Sequence, residues 1–98
     1  MILLKHEENG SIECLFDSSN VLGSKYIVKE RKLAIIFNSG RQYVYKDITK
    51  EEYRKFELSK SQGKVLNSIV KGHDFEKVKA LIDVTPMLEQ IEEIKSTL

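Results

Sequence analysis

The chain has 98 residues, 41% of them hydrophobic and 32% charged, with a formal net charge of +1. That is one domain's length of ordinary soluble composition, enough for a single hydrophobic core. It excludes a strongly basic nucleic-acid-binding chain, a disulfide scaffold (Cys14 is the single cysteine) and a membrane span, since no apolar run nears the roughly 18 residues a span needs.

Taken in order, Ile2–Leu4 and the alternating run Ser11–Phe16 flank Glu8-Asn9-Gly10, a turn signal for a hairpin, because Asn-Gly tolerates positive φ at both positions. Asp17-Ser18-Ser19-Asn20 breaks the alternation. A strand follows to Lys29, then another from Lys32 to Phe37. In the latter, Leu33, Ile35 and Phe37 share one face and Ala34 and Ile36 the other, the pattern of a strand covered on both sides. Asn38-Ser39-Gly40 predicts a three-residue hairpin loop with Gly40 left-handed, placing Tyr43 opposite Ile35 and Tyr45 opposite Leu33. A two-residue loop would turn both tyrosines to the other face.

Helical signals come next. Thr49-x-x-Glu52 is a capping box, with Ile48 and Tyr53 as its hydrophobic staple, and the helix runs to about Leu58. Ser61 reads as the cap of a second helix with a Val65, Leu66, Ile69, Val70 stripe and Gly72 as its stop. Beyond it, Asp74 fits the start of a short helix through Phe75, Val78, Leu81 and Ile82, while Ala80, Ile82 and Val84 fit a strand equally well. Thr85-Pro86 opens a last helix as N-cap and N1, with an apolar stripe of Met87, Leu88, Ile91, Ile94 and Leu98. The expected fold is α+β: a small antiparallel sheet of three to five strands packed against two or more helices, with a C-terminal amphipathic helix. We read residues 1–98 as one domain, made of an N-terminal strand or hairpin (1–17), a core (18–71) and a C-terminal helical extension (72–98).

The order Ser18-Ser19, Tyr26, Leu33, Phe37, Gly40, Tyr43-Val44-Tyr45, Ile48, Tyr53, Phe56, Ser61-x-Gly63, Asn67, Ile69 resembles the KTSC domain. That family is named for its place at the C-terminus of some lysyl-tRNA synthetases, and it also occurs as small stand-alone proteins of bacteria and phages. The resemblance covers about residues 18–71 and implies a small α+β module with a suggested role in RNA binding. The chain departs from it at Thr49, where proline is common, and at Leu58, where a small residue is common and which therefore bears on helix packing. Residues 1–17 and 72–98 fall outside it.

Charge is uneven along the chain. Residues 41–79 carry ten Lys/Arg against six acids, a net +4, whereas residues 80–98 carry one Lys against four acids, a net −3. The candidate nucleic-acid contacts are Arg41, Tyr43, Tyr45, Lys50, Arg54, Lys60, Lys64 and Lys71. A tyrosine ring stacks on a base and cations meet phosphates. Against this, alternate tyrosines in a hairpin commonly pack across strands, and Glu51, Glu52 and Glu57 dilute the cations. Ser59–Lys64 resembles the end of a phosphate loop but has Leu58 for its first glycine and Val65 for its hydroxyl residue. His6 and His73 stand apart from any ligand grouping, and Cys14 reads as a small buried apolar residue.

No catalytic residues, metal site or cofactor are expected. The opening residues carry no secretory signal, and the expected location is cytoplasmic. The leading expectation is a non-catalytic module binding RNA or a nucleoprotein. The alternative is a small phage or bacterial regulator or inhibitor that docks on a protein of a larger machine, through Met87, Ile91, Ile94 and Leu98 of the acidic tail helix.

Overall fold

Each hairpin forms where the turn chemistry demands it. In a computed structural model describing residues 1–98, β1 (Ile2–Glu8) and β2 (Ser11–Phe16) flank Asn9 and Gly10, whose φ angles are 49° and 81°, the positive pair of a type I′ turn. β3 (Val21–Ile27), β4 (Lys32–Phe37) and β5 (Gln42–Tyr45) follow. The hairpin that joins β4 to β5 has a three-residue loop, 38–40, because Phe37 and Arg41 still pair. The Phe37 N–H donates to the Arg41 carbonyl (2.9 Å), the Gly40 N–H donates to the Phe37 carbonyl (2.9 Å), and Gly40 has φ 88°. Tyr43 therefore pairs with Ile35 and Tyr45 with Leu33, in the expected register. A sixth strand, β6 (Phe75–Lys77), pairs with β5 and completes an antiparallel sheet in the order β1 to β6, one strand more than the upper expectation.

The helices are α1 (Lys50–Glu57), α2 (Gln62–Ile69) and α3 (Thr85–Ser96). The capping box of α1 is fully formed: the Glu52 N–H donates to the Thr49 hydroxyl (3.1 Å) and the Thr49 N–H to the Glu52 carboxylate (2.9 Å). Ile48 and Tyr53 behind it are wholly buried. Leu58 is mostly exposed, on a hollow between α1 and α2 that Val65 and Ile69 also line.

Ser61 occupies the N-cap of α2 as expected, although its hydroxyl makes no cap bond and buried Gln62 ties the turn by donating to the Ser59 carbonyl (2.7 Å). Two local expectations give way. Residues 75–84 form neither a helix nor a strand at 80–84. The open edge of β5 offers backbone acceptors, and the Val78 N–H takes the Gln42 carbonyl while the Ile82 N–H takes that of Gly40 (2.9 Å each). Bonding to an available edge outweighs a weak local periodicity. Thr85 lies inside α3 and is not its cap; its N–H donates to the Asp83 carboxylate (3.0 Å).

Period-two alternation sorts the strands' side chains to two faces. Ile12, Cys14, Phe16, Tyr26, Leu33, Ile35 and Tyr45 point to the face covered by α1 and α2, where they meet Ile48, Tyr53, Phe56, Leu66 and Ile69. At the centre the rings of Tyr26 and Tyr53 stack at 4.4 Å and 4°, and the Tyr26 hydroxyl donates to the Ile48 carbonyl (2.7 Å). The second face carries α3, which lies against β1 and β2 and is tied by Lys95 to Asp17 (2.8 Å). It leaves a groove of ≈ 440 Å³ between Met87 and a floor that includes Leu4, Leu15, Ala34 and Ile36. No helix is long and apolar enough to cross a membrane.

Two stability predictions follow from this packing. A Cβ on Gly40 would lie 2.6 Å from the Ile82 carbonyl oxygen at a positive φ, whereas a Cβ on Gly10 would meet nothing within 4 Å. Denaturant titration should therefore show Gly40→Ala losing about 2–3 kcal/mol and Gly10→Ala about 1 kcal/mol, the cost of the backbone conformation alone. Equal losses would contradict the close approach of residue 82. Tyr26→Phe leaves the buried Ile48 carbonyl without its donor and should cost about 1–2 kcal/mol, a fall in Tm of several degrees for a chain of this size.

Candidate nucleic-acid interface

The sheet's pairings place a row of aromatic rings at its β5–β6 side. Tyr43 and Tyr45 share the helix-covered face, and β6 sets Phe75 opposite Tyr45 and Lys77 opposite Tyr43. Tyr45 is buried and completes the core, and burial pushes its phenol pKa up. Its ring is a wall and not an open surface. Tyr43 is half-buried, with its ring nearly parallel to that of Phe75 (5.7 Å, 16°) and edge-on to Phe37 (5.6 Å, 75°). Phe75 is 57% exposed, so the outer part of the row faces solvent.

Two free cations flank it. Arg41 stands across the hairpin mouth from Phe37, and Lys77 stands beside Tyr43; both are exposed, and neither enters any of the chain's ion pairs. Lys46, by contrast, is held by Glu76 (2.8 Å).

The remaining candidates do not gather here. Lys50 and Arg54 border a shallow hollow with Glu7, Glu8, Asn9 and Gly10 at the first hairpin. That hairpin is three or four strand spacings of about 4.8 Å from β5, and its acids oppose a phosphate. Lys60 and Lys64 are exposed on the α1–α2 turn and on α2, and Lys71 on the turn that leads to β6. The tail-helix stripe turns mostly inward. Ile91 is buried, Met87 and Ile94 are half-buried, and only Leu98 is fully outside.

Phe75 and Lys77 were absent from the sequence candidates. A three-residue strand is too short for an alternation to register, and Phe75 fitted a helical spacing with Val78 and Leu81.

A second polar cluster lies inside the core. Lys5, Cys14 and Ser24 stand side by side on β1, β2 and β3, and α1 lowers Tyr53 and Glu57 onto them. The Tyr53 hydroxyl donates to Glu57 (3.1 Å) and lies 3.5 Å from the Cys14 sulfur, while the Lys5 ammonium reaches the same carboxylate (3.0 Å). Burial pushes both the thiol and the phenol up, and the hydrogen bond to Glu57 raises Lys5. Cys14 and Tyr53 therefore stay protonated at ordinary pH, which leaves no thiolate nucleophile. The cluster ties α1 to β1. Cys14 is buried as expected, with the added role of a hydrogen-bonding neighbour to Tyr53.

A model of the KTSC domain matches residues 17–75. Among solved structures, the crystal structure of a KTSC domain protein from Yersinia pestis superposes with a TM-score of 0.64 at 23% identity, covering 69% of this chain and 97% of its own. A search of curated proteins returns no match. The matched span takes in β3 to α2 and ends at Phe75, so it holds Arg41, Tyr43 and the aromatic row but not Lys77, the first hairpin or α3. Since the match covers well over half of the sequence and the fold agrees, the chain belongs to the KTSC domain family.

Proposed function

We propose that this chain is a non-catalytic module that binds single-stranded nucleic acid, RNA foremost, along its β5–β6 side. The observation that carries the reading is the Tyr43–Phe75 ring pair, open to solvent on its outer part and flanked by unpaired Arg41 and Lys77. A phenylalanine left 57% exposed on a sheet face keeps apolar surface in water that a stacked base would cover. Such a ring next to cations fits a flexible strand, whose bases stack and whose phosphates meet the charges. A duplex hides its bases and gains only the charge term. Docking on a protein through the α3 stripe has less support, because three of its four residues turn toward the chain's own sheet.

Fluorescence anisotropy with oligo(U) tests this at low salt. Phe75→Ala removes a largely exposed ring and should weaken binding roughly tenfold, within the range of one lost base stack, with little change in Tm. Arg41→Ala with Lys77→Ala should make the salt dependence shallower by about 1.4 in log–log slope, two phosphate contacts' worth. Lys50→Ala with Arg54→Ala should alter binding far less. Absence of any anisotropy change with single-stranded RNA or DNA at low salt would sink the proposal.

A further inference from the structure

His73 sits in the turn between α2 and β6 and bridges three elements. Its Nδ1 lies 2.9 Å from the Lys46 carbonyl oxygen, just past β5, and its Nε2 lies 3.0 Å from the Glu52 carboxylate in the first turn of α1. Both partners accept. The carbonyl has no proton to give, and Glu52 already accepts the Thr49 N–H with its other oxygen. A neutral imidazole carries one N–H, so it satisfies one partner and turns a lone pair on the other; only the imidazolium donates to both.

What hangs on this bridge is β6. The strand has three residues, all exposed, and its first is Phe75. The neighbouring backbone bond, from the Lys46 N–H to the Asp74 carbonyl (2.9 Å), closes the same junction.

We propose that His73 is a proton switch for the nucleic-acid platform: the imidazolium clamps β6 and seats Phe75 beside Tyr43, and loss of its proton opens the clamp, so binding weakens as pH rises through the neutral range. The switch rests on the binding role proposed above.

The charges around the ring agree in sign. Glu52 faces it from α1, Asp47 from the loop after β5, and Asp74 adjoins it on its own segment, while the Lys46 ammonium is occupied by Glu76. Burial alone would lower the imidazolium's pKa. The bonds to Glu52 and the Lys46 carbonyl, with the charges of Glu52 and Asp47, outweigh it and hold the value above the usual 6.5. Glu52 is itself held below the ordinary carboxylate value, first by the Thr49 N–H. The clamp is thus closed below about pH 6.5 and opens as pH climbs through the higher folded value. At the acid end it is lost only when Glu52 protonates.

The test measures oligo(U) lacking terminal phosphates against wild type, His73→Gln and His6→Gln from about pH 5.5 to about pH 8.5 at constant ionic strength. The wild-type affinity should fall roughly three- to tenfold, at the pH where the His73 ring titrates by NMR, and bound oligonucleotide should move that titration upward. His73→Gln should bind with no such pH dependence, and His6→Gln should follow the wild type. Without nucleic acid, hydrogen-exchange protection of the Lys46 and Val78 amides should decline through the same pH in the wild type and in His6→Gln but not in His73→Gln. A flat wild-type affinity across the His73 titration, or unchanged protection of these amides, overturns the switch. Absence of oligonucleotide binding at every pH overturns the binding role instead, and hydrogen exchange then decides the clamp by itself.

Discussion

The structure depends on the register of one hairpin. With a three-residue loop, 38–40, closed by the Phe37–Arg41 bond and Gly40 in the left-handed region, Leu33 faces Tyr45 and Ile35 faces Tyr43. A slip of one residue would carry both tyrosines to the α3 side, because side chains alternate with a period of two. With the register as it is, Tyr45 closes the core and Tyr43 lies at its margin, where β6 adds Phe75 and Lys77. Gly40 also lets the Ile82 carbonyl pass close to its Cα, so the same turn routes the chain past the open edge of the sheet and on to α3.

α1 acts as a strut between the two edge strands, the parts of an open sheet that have neighbours on one side only. At its C-terminal end Glu57 takes Lys5 of β1. At its N-terminal end Glu52 takes His73, ahead of β6. The two ties differ in kind. Glu57 is 3% exposed and shares its carboxylate with Tyr53, so removing Lys5 or Tyr53 would strand a buried carboxylate. The Glu52 tie lies nearer the surface and, unlike the Glu57 tie, contains a histidine, the side chain whose charge changes near neutrality. A permanent anchor at β1 and a titratable one at β6 make the sheet's two edges unequal, and the aromatic row lies on the titratable side.

Much of this was legible from local chemistry. Asn9-Gly10, the Asn38–Gly40 loop, the Thr49–Glu52 box and the Ile48–Tyr53 staple each involve residues a few positions apart, and each formed as read. The family landmarks are of the same kind, since most are core or turn positions set by the fold. The candidate interface was only half legible. Tyr43 and Arg41 were named, but Tyr45 went inside, Lys50 and Arg54 went to the first hairpin, and Phe75 and Lys77 were missed.

The reason is physical. Sequence by itself determined which segments turn, where α1 begins and which residues alternate, because those outcomes follow from backbone sterics and side-chain bonds within a few residues. Tertiary structure alone decided which cations share a face, because that depends on strand order across the sheet. It also decided that Glu57 is buried against Lys5, 52 positions away, and that residues 75–77 are a strand, because only an unpaired β5 edge supplies their hydrogen bonds. His73 shows the limit most plainly: alone in sequence, it acquires two acceptors, and a reason to be charged, only when β5 and α1 meet.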